Sequence, residues 1–359
     1  MVRSFLLSLV AGSMGLAIVL SAGTAWAGYK MEIDDTKWIS LGIGGRSSFT
    51  ARQDSAPSGT DWSKDFNLDN ARIYIAGQVH EKVSFEFNTE CVFCGNSALE
   101  EFVVLDAIAK IAVNDYVNIW GGRLLVPAER SEMNGPFYSS TYERFKTPFY
   151  PSDQSVNFGT GGAGVYGRDN GVNIWGAAGP DGALQYVFGV FSGLRSATGA
   201  GPNQDDGLLY AGRIAYNFLG VENNPGYYTS GTYYGGAGDI LTVAFAFQVQ
   251  NDATGTAAAP DDFFGMSVDV LGEFALGSGV LTLDGEYKHF DTGGAAGGPL
   301  GLFDGDSYSV VGLFLLPNQV GIGKLQPYVR YTDIKSSDSS GGPDMDETEV
   351  GINYVIDGH

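Results

Sequence analysis

The chain has 359 residues, a net charge of −21, 44% hydrophobic and 13% aromatic residues, and 53 glycines. So acidic a balance excludes nucleic acid as a partner, because counterion release at phosphates needs a basic surface. Charged residues make up only 17%, below the ~25% of ordinary soluble domains, which suits a β-barrel whose outer face meets lipid.

At the N-terminus, Arg3 precedes an apolar stretch from Phe5 to Leu20, and Ala25-Trp26-Ala27 forms a small-x-small site before Gly28. This order reads as a cleaved secretory signal peptide over residues 1–27. An uncleaved membrane helix needs ~20 apolar residues, and Gly12, Ser13, Gly15, Ser21 and Gly23 interrupt the run. The mature domain is expected over 28–359, as an outer-membrane β-barrel in contact with lipid. No later apolar run approaches the length of a membrane helix; Val310 to Leu316 is among the longest.

From Lys37 onward, segments of ~10 residues alternate apolar and polar side chains between turns, the signature of a transmembrane barrel. Ile73, Ile75 and Val79 oppose Arg72, Tyr74, Gln78 and His80; Val83, Phe85 and Phe87 oppose Ser84, Glu86 and Asn88. Val268, Val270, Phe274 and Leu276 oppose Ser267, Asp269 and Glu273, and after Gly277-Ser278-Gly279 the pattern resumes with Leu281, Leu283 and Tyr287. The fold class is therefore all-β, an antiparallel barrel. Its fourteen strands are predicted near 37–52, 66–80, 82–92, 98–113, 116–126, 164–178, 183–194, 207–219, 239–251, 264–276, 280–290, 305–316, 324–335 and 346–357.

Connection lengths mostly alternate short and long, as expected of turns at one barrel mouth and loops at the other. The long ones are Gln53 to Lys64, Cys91 to Ser97, Pro127 to Ala163, Arg195 to Asp206, Asp252 to Asp262, Asp291 to Asp304 and Ser336 to Met345. One connection breaks the rule: Gly220 to Gly238 falls where a short turn is due. A soluble β-sandwich would not predict the alternation or the lipid-like faces.

The two cysteines form Cys91-Val92-Phe93-Cys94, followed by Gly95. An exported chain meets an oxidising compartment, so a loop disulfide is expected, with free thiols as the alternative. Haem attachment needs His after the second Cys, and the three histidines show no zinc spacing. Neither a metal nor a cofactor is expected.

The third long loop, Pro127 to Ala163, carries Phe137, Tyr138, Tyr142, Phe145, Phe149, Tyr150 and Phe158 together with Arg130, Arg144 and Lys146. Loops beyond ~12–15 residues without their own structure are usually functional. It is expected to fold inward and narrow the lumen; the alternative is packing against a neighbouring subunit. Charge is uneven: −4 over residues 1–168 and −17 over 169–359. Parity puts Arg46, Arg72, Arg213 and Arg330 on the lumen face, with Arg123 ambiguous, so the candidate pore-lining set is Arg46, Arg72, Arg123, Arg130, Arg144, Lys146, Arg213 and Arg330. Arginine and lysine rings favour anions and carboxylate rings favour cations. Glu86, Asp269, Glu273, Asp284, Glu286 and Glu349 share the polar face, so the arginines either select anions or pair with these acids.

Ala71 to Val79, Trp120 to Pro127, Gly167 to Val172, Leu281 to Lys288, Gly323 to Tyr331 and Glu349 to His359 carry a resemblance to the phosphate-selective porin O and P family, in a short version without an N-terminal coiled coil. The resemblance spans nearly all the mature chain and implies a sixteen-stranded homotrimeric pore for small anions such as phosphate or other oxyanions. It also implies a final hairpin after Tyr354 to His359. In the family, phosphate preference rests on an arginine ladder and a lysine cluster; this chain has nine lysines and no such cluster in its loops. An unselective general porin is one alternative. Another is a barrel sheath holding a periplasmic electron-transfer protein, in which Cys91 and Cys94 would have a role. No Ser-His-acid spacing stands out, and an enzyme is not expected.

Overall fold

The computed structural model describes residues 28–92, 94–95, 100–114, 116–145, 167–293, 303–337 and 344–358. Residues 1–27, where a signal peptide is expected, and Lys146 lie outside this set, as do parts of several long loops. The first strands are β1 (Gly28–Asp34), β2 (Lys37–Arg52), β3 (Ser63–His80), β4 (Val83–Val92), β5 (Glu101–Asn114) and β6 (Val117–Leu125). A short helix, α1 (Arg130–Asn134), precedes β7 (Arg168–Ala178), β8 (Leu184–Phe191), β9 (Leu209–Asn217), β10 (Ile240–Thr256) and β11 (Ala259–Leu276). The chain continues through β12 (Gly279–Asp291), β13 (Gly305–Leu315), β14 (Gln319–Val320), β15 (Gly323–Ser336) and β16 (Met345–Val355).

All sixteen strands belong to one antiparallel sheet in which chain neighbours pair; β13 pairs β15, and β14 is a two-residue hairpin arm against the start of β15. The fourteen expected strands are all present. β1 adds a strand because Tyr29, Met31 and Ile33 continue the outward apolar alternation. The expected long loop Asp252 to Asp262 is corrected: β10 and β11 pair as far as Thr256 and Ala259, a tight hairpin with a register shift after Gln250. At the opposite mouth Gly277 takes φ 63°, a left-handed conformation that glycine adopts without a Cβ clash, and this closes the β11–β12 turn.

The alternation is inside-out. Along β12, Thr282, Asp284, Glu286 and Lys288 are buried while Leu283 and Tyr287 are exposed. On the outer side Phe66 is 89% exposed and Val350 78%, which in water would be costly and against hydrocarbon is favourable. The sheet curls around its own polar face. Consecutive residues of the segment after α1 reach opposite ends of the strand order: the Tyr142 carbonyl accepts from Arg46 on β2, the Ser140 carbonyl from Asn353 on β16, and Thr141 Oγ1 from Arg330 on β15. Among the described residues, no pairing joins β1 to β16. Among the described residues, no helix is long and apolar enough to cross a membrane.

Bulges re-aim side chains along the wall. Between Arg46 and Ser47 the register of β3 skips Asp69, and the extra residue reverses the inward parity. Asn67 and Asp69 then face inward on one side of the bulge, Asn70 and Arg72 on the other, and Asp69 accepts from the Tyr142 hydroxyl at 2.5 Å. The main apolar cluster does not lie between sheets. It forms where in-folded segments meet the wall, around Trp120, Leu124, Met133, Val187, Phe191 and Tyr227.

Candidate functional site

Two connections enter the lumen, one from each mouth. From the long-loop mouth comes the segment after β6, whose α1 residues are all buried. From the short-turn mouth comes the connection after β9, residues 218–239. Its length is what made Gly220 to Gly238 break the alternation: the excess chain turns inward. Tyr227 donates to the Leu125 carbonyl at 2.8 Å, and the Thr229 hydroxyl donates to the Arg130 carbonyl at 2.9 Å. The Gly231 amide donates to the Tyr138 carbonyl at 2.8 Å. Trp120 on β6 packs against Trp175, Tyr227 and Tyr228 with centroids 5.4, 5.2 and 5.8 Å apart, each such pair contributing about 0.5–1.5 kcal/mol beyond burial.

Arg130 is the centre of this junction. It is fully buried, and its two terminal nitrogens each donate to Glu222 at 2.7 Å. It also donates to the Ser230 carbonyl at 2.8 Å and to Asp269 on β11 at 3.3 Å. The fork geometry of a guanidinium suits such a bidentate clasp. Burial alone would raise the Glu222 carboxyl, but the Arg130 charge and the hydrogen bonds from Arg130, Tyr233 and Thr242 outweigh it and hold the group down at about 2. Burial pushes the Tyr233 hydroxyl well up, reinforced by Glu222 beside it. Tyr227 and Tyr228 are raised by burial. Behind the clasp, Glu273 accepts from Thr232 at 2.8 Å, from the Tyr233 amide at 3.0 Å and from the Gly235 amide at 2.7 Å.

The remaining predicted lumen residues take these positions. Arg213 faces inward from β9, pairs with Asp269 and donates to the Ala128 carbonyl at 3.2 Å. Arg72 faces inward from β3, paired with Glu90 and lying 5.0 Å over the Phe137 ring. Arg330 on β15 pairs with Glu349 at 2.6 Å and Glu347 at 3.2 Å. Arg144 donates to the Ser131 carbonyl at 2.9 Å and lies 3.5 Å from Glu132. Arg46 on β2 lies 4.1 Å from the Tyr142 ring and bonds to Asn70 and the Tyr142 carbonyl. No carboxylate pairs with it among the described residues.

Arg123 departs from the pore-lining set. It pairs in register with Ala107 and Asn170, while the inward positions of β6 are Trp120 and Gly122 beside Lys110 and Ile108. The alternation therefore places Arg123 on the outer face, where it donates to the Val104 carbonyl. The Cys91 and Cys94 sulfurs are bonded to one another at the rim of β4, with Cα atoms 5.5 Å apart.

Several lumen residues were absent from the predicted set. Lys110 pairs with Glu86, Arg168 with Asp106 at 3.0 Å, and Lys288 with Glu129 at 2.6 Å. Lys288 was legible from parity, but pairing across strands and loops is not. Glu222 had one signal, the out-of-place length of its connection.

Among the described residues, the two in-folded segments crowd the lumen along β8 to β13 and leave the opposite flank open. There a cavity of about 430 Å³ lies between β2 to β5 and the tips of both segments, lined by Arg72, Tyr74, Asn88, Phe137, Tyr138 and Tyr228 among others.

No family model and no curated protein matches the chain. Among solved structures, Salmonella typhi OmpF in complex with daunomycin aligns with a TM-score of 0.51 at 12% identity, covering 92% of this chain and 89% of that one. An anion-selective porin from Comamonas acidovorans aligns at 0.46 and 15% identity over 89% and 98%. OprB from Pseudomonas putida aligns at 0.48 and 8% identity over 85% and 75%. The OmpF likeness is one of fold: the chain has a porin-like β-barrel fold.

Proposed function

We propose that the protein is an outer-membrane pore for passive diffusion of small solutes, exported by its signal peptide and assembled as a homotrimer. The observation that carries this reading is the inside-out barrel wall, apolar outward and hydrogen-bonding inward, narrowed by two in-folded segments that stop short of filling it. Strand-to-strand pairing along the wall satisfies backbone groups that lipid could not, and a polar interior supports water. The in-folded segments also argue against a sheath: the cavity left beside them is about 430 Å³, room for a small solute and not for a folded protein.

The anion preference implied by the resemblance is the finer reading, and the lumen pairs weigh against a strong version of it. Arg72, Arg130, Arg213 and Arg330 each have a carboxylate partner, so a passing phosphate would have to displace an acid from a buried pair. Breaking such a pair is costly. A weakly selective passage suits this arrangement best, with Arg46 the cation most available to an anion among the described residues of the predicted set.

The test is conductance and reversal potential of the purified full chain in planar bilayers under a salt gradient. Stable channels with a reversal near zero are expected. A protein that inserts and conducts nothing would sink the pore reading, and a strongly anion-selective reversal with block by phosphate would restore the oxyanion reading.

A further inference from the structure

The chemistry of the open flank names a solute class. The cavity of about 430 Å³ falls within the ~300–1,000 Å³ of small-molecule sites. Its wall is built from two materials. One is aromatic: Tyr74 and Phe137 meet edge to face with centroids 6.4 Å apart, and Tyr138, Tyr228 and Tyr234 extend the surface from both in-folded segments. The other is polar but internally neutral. Arg72 is paired with Glu90, Glu86 with Lys110, and Arg168 with Asp106, so these six charges sum to zero; Asp357 adds a carboxylate only at the exposed rim.

The polar part of the same wall brings both donors and acceptors, with Arg72, Arg168, Asn88 and Asn134 among its lining residues. A small ion gains little from a wall whose charges already neutralise each other. A neutral solute with hydroxyls on its edge and C–H groups on its faces gains from both materials, packing on the rings and bonding to the polar atoms.

We propose that the cavity framed by Phe137, Tyr74, Tyr138 and Tyr228 beside the Arg72–Glu90 and Arg168–Asp106 pairs is a binding seat for neutral polyhydroxylated solutes, the chemistry of sugars. The seat rests on the diffusion reading above. Its position, between the tip of the long-loop segment and the tip of the segment from the other mouth, puts it on the path of anything that crosses the open flank.

The test is single-channel potassium chloride current in planar bilayers with glucose added, using tetraethylene glycol as a neutral comparator of similar size without a hydroxylated ring. The expected result is interruption of the current by glucose at about a tenth of the comparator concentration, with that ratio falling roughly fivefold in Phe137→Ala. Phe137→Leu keeps apolar volume without the ring, and it should lose the same preference if the aromatic face matters. Current that persists but treats glucose and tetraethylene glycol alike overturns the seat and leaves the pore reading standing. Interruption by phosphate and not by glucose overturns it in favour of the anion reading. Absence of any current overturns the pore reading, and the seat with it.

Discussion

The two flanks of the lumen are built from similar residues and do opposite things. Along β8 to β13 the polar face of the wall is covered by α1 and residues 218–239, and the cations there are clasped: Arg130 by Glu222 and Asp269, Arg213 by Asp269, Lys288 by Glu129. Along β2 to β5 the wall carries ion pairs of the same kind but keeps a cavity before it. What differs is the length of chain available to cover each side. A polar barrel interior is a scaffold whose openness is decided by its loops, and burying charges against those loops makes the closed flank stable only while every pair is complete.

Removing a partner from the clasped flank should break the contrast most severely. Arg130→Met leaves Glu222 buried without its cation, while Asp269 keeps Arg213, at a cost of about 3–5 kcal/mol. Denaturant unfolding of the refolded barrel should show that loss, and single-channel traces should become larger and noisier as residues 218–239 detach. A variant with wild-type stability and steady current would show that the clasp holds nothing.

Acid acts on the same pair. Glu222 is held at about 2 against an ordinary 4.5, so its folded-state pKa is depressed. The stabilisation is fully present above about 4.5 and is lost as pH falls from there towards 2. The shift corresponds to roughly 3 kcal/mol. Conductance and unfolding midpoints followed through this window should change in the native chain, whereas Glu222→Gln should start less stable and respond less.

At the rim beside the open flank, the Cys91–Cys94 bond closes a very short loop. Replacing both by serine should cost roughly 2 kcal/mol at most and leave the reversal potential unchanged, since neither sulfur lines the cavity. A changed reversal potential would mean that this rim shapes the passage.

The smallest expected stability effect belongs to Arg46, which is part-exposed and, among the described residues, hydrogen-bonded to neutral oxygens. Arg46→Gln should cost below about 1 kcal/mol yet move the reversal potential towards cations. If selectivity is unmoved, the open flank is not where ions discriminate, and the comparison between flanks loses its functional half.

How much of this was legible in the chain differs by scale. Strand positions and their inward faces could be read because a wall with an apolar outer face and a polar inner face imposes a period of two on every segment; Arg72, Arg213 and Arg330 followed from it. Arg123 did not, because Gly122 and its neighbours give no clear apolar alternation and only the register with Ala107 and Asn170 settles the face. The partner of Arg130 is 92 residues away, and no local pattern encodes such a distance. The inward turn of residues 218–239 was visible only as a connection too long for its place.

The sequence by itself determined the wall: an antiparallel sheet with apolar side chains outward, since each residue's environment there depends on its own parity and on neighbours a few positions away. Only the tertiary structure decided which lumen charges neutralise each other, which flank is filled and which is left open. Those outcomes depend on where two long connections come to rest inside the curled sheet, and that is set by pairings between segments far apart in the chain.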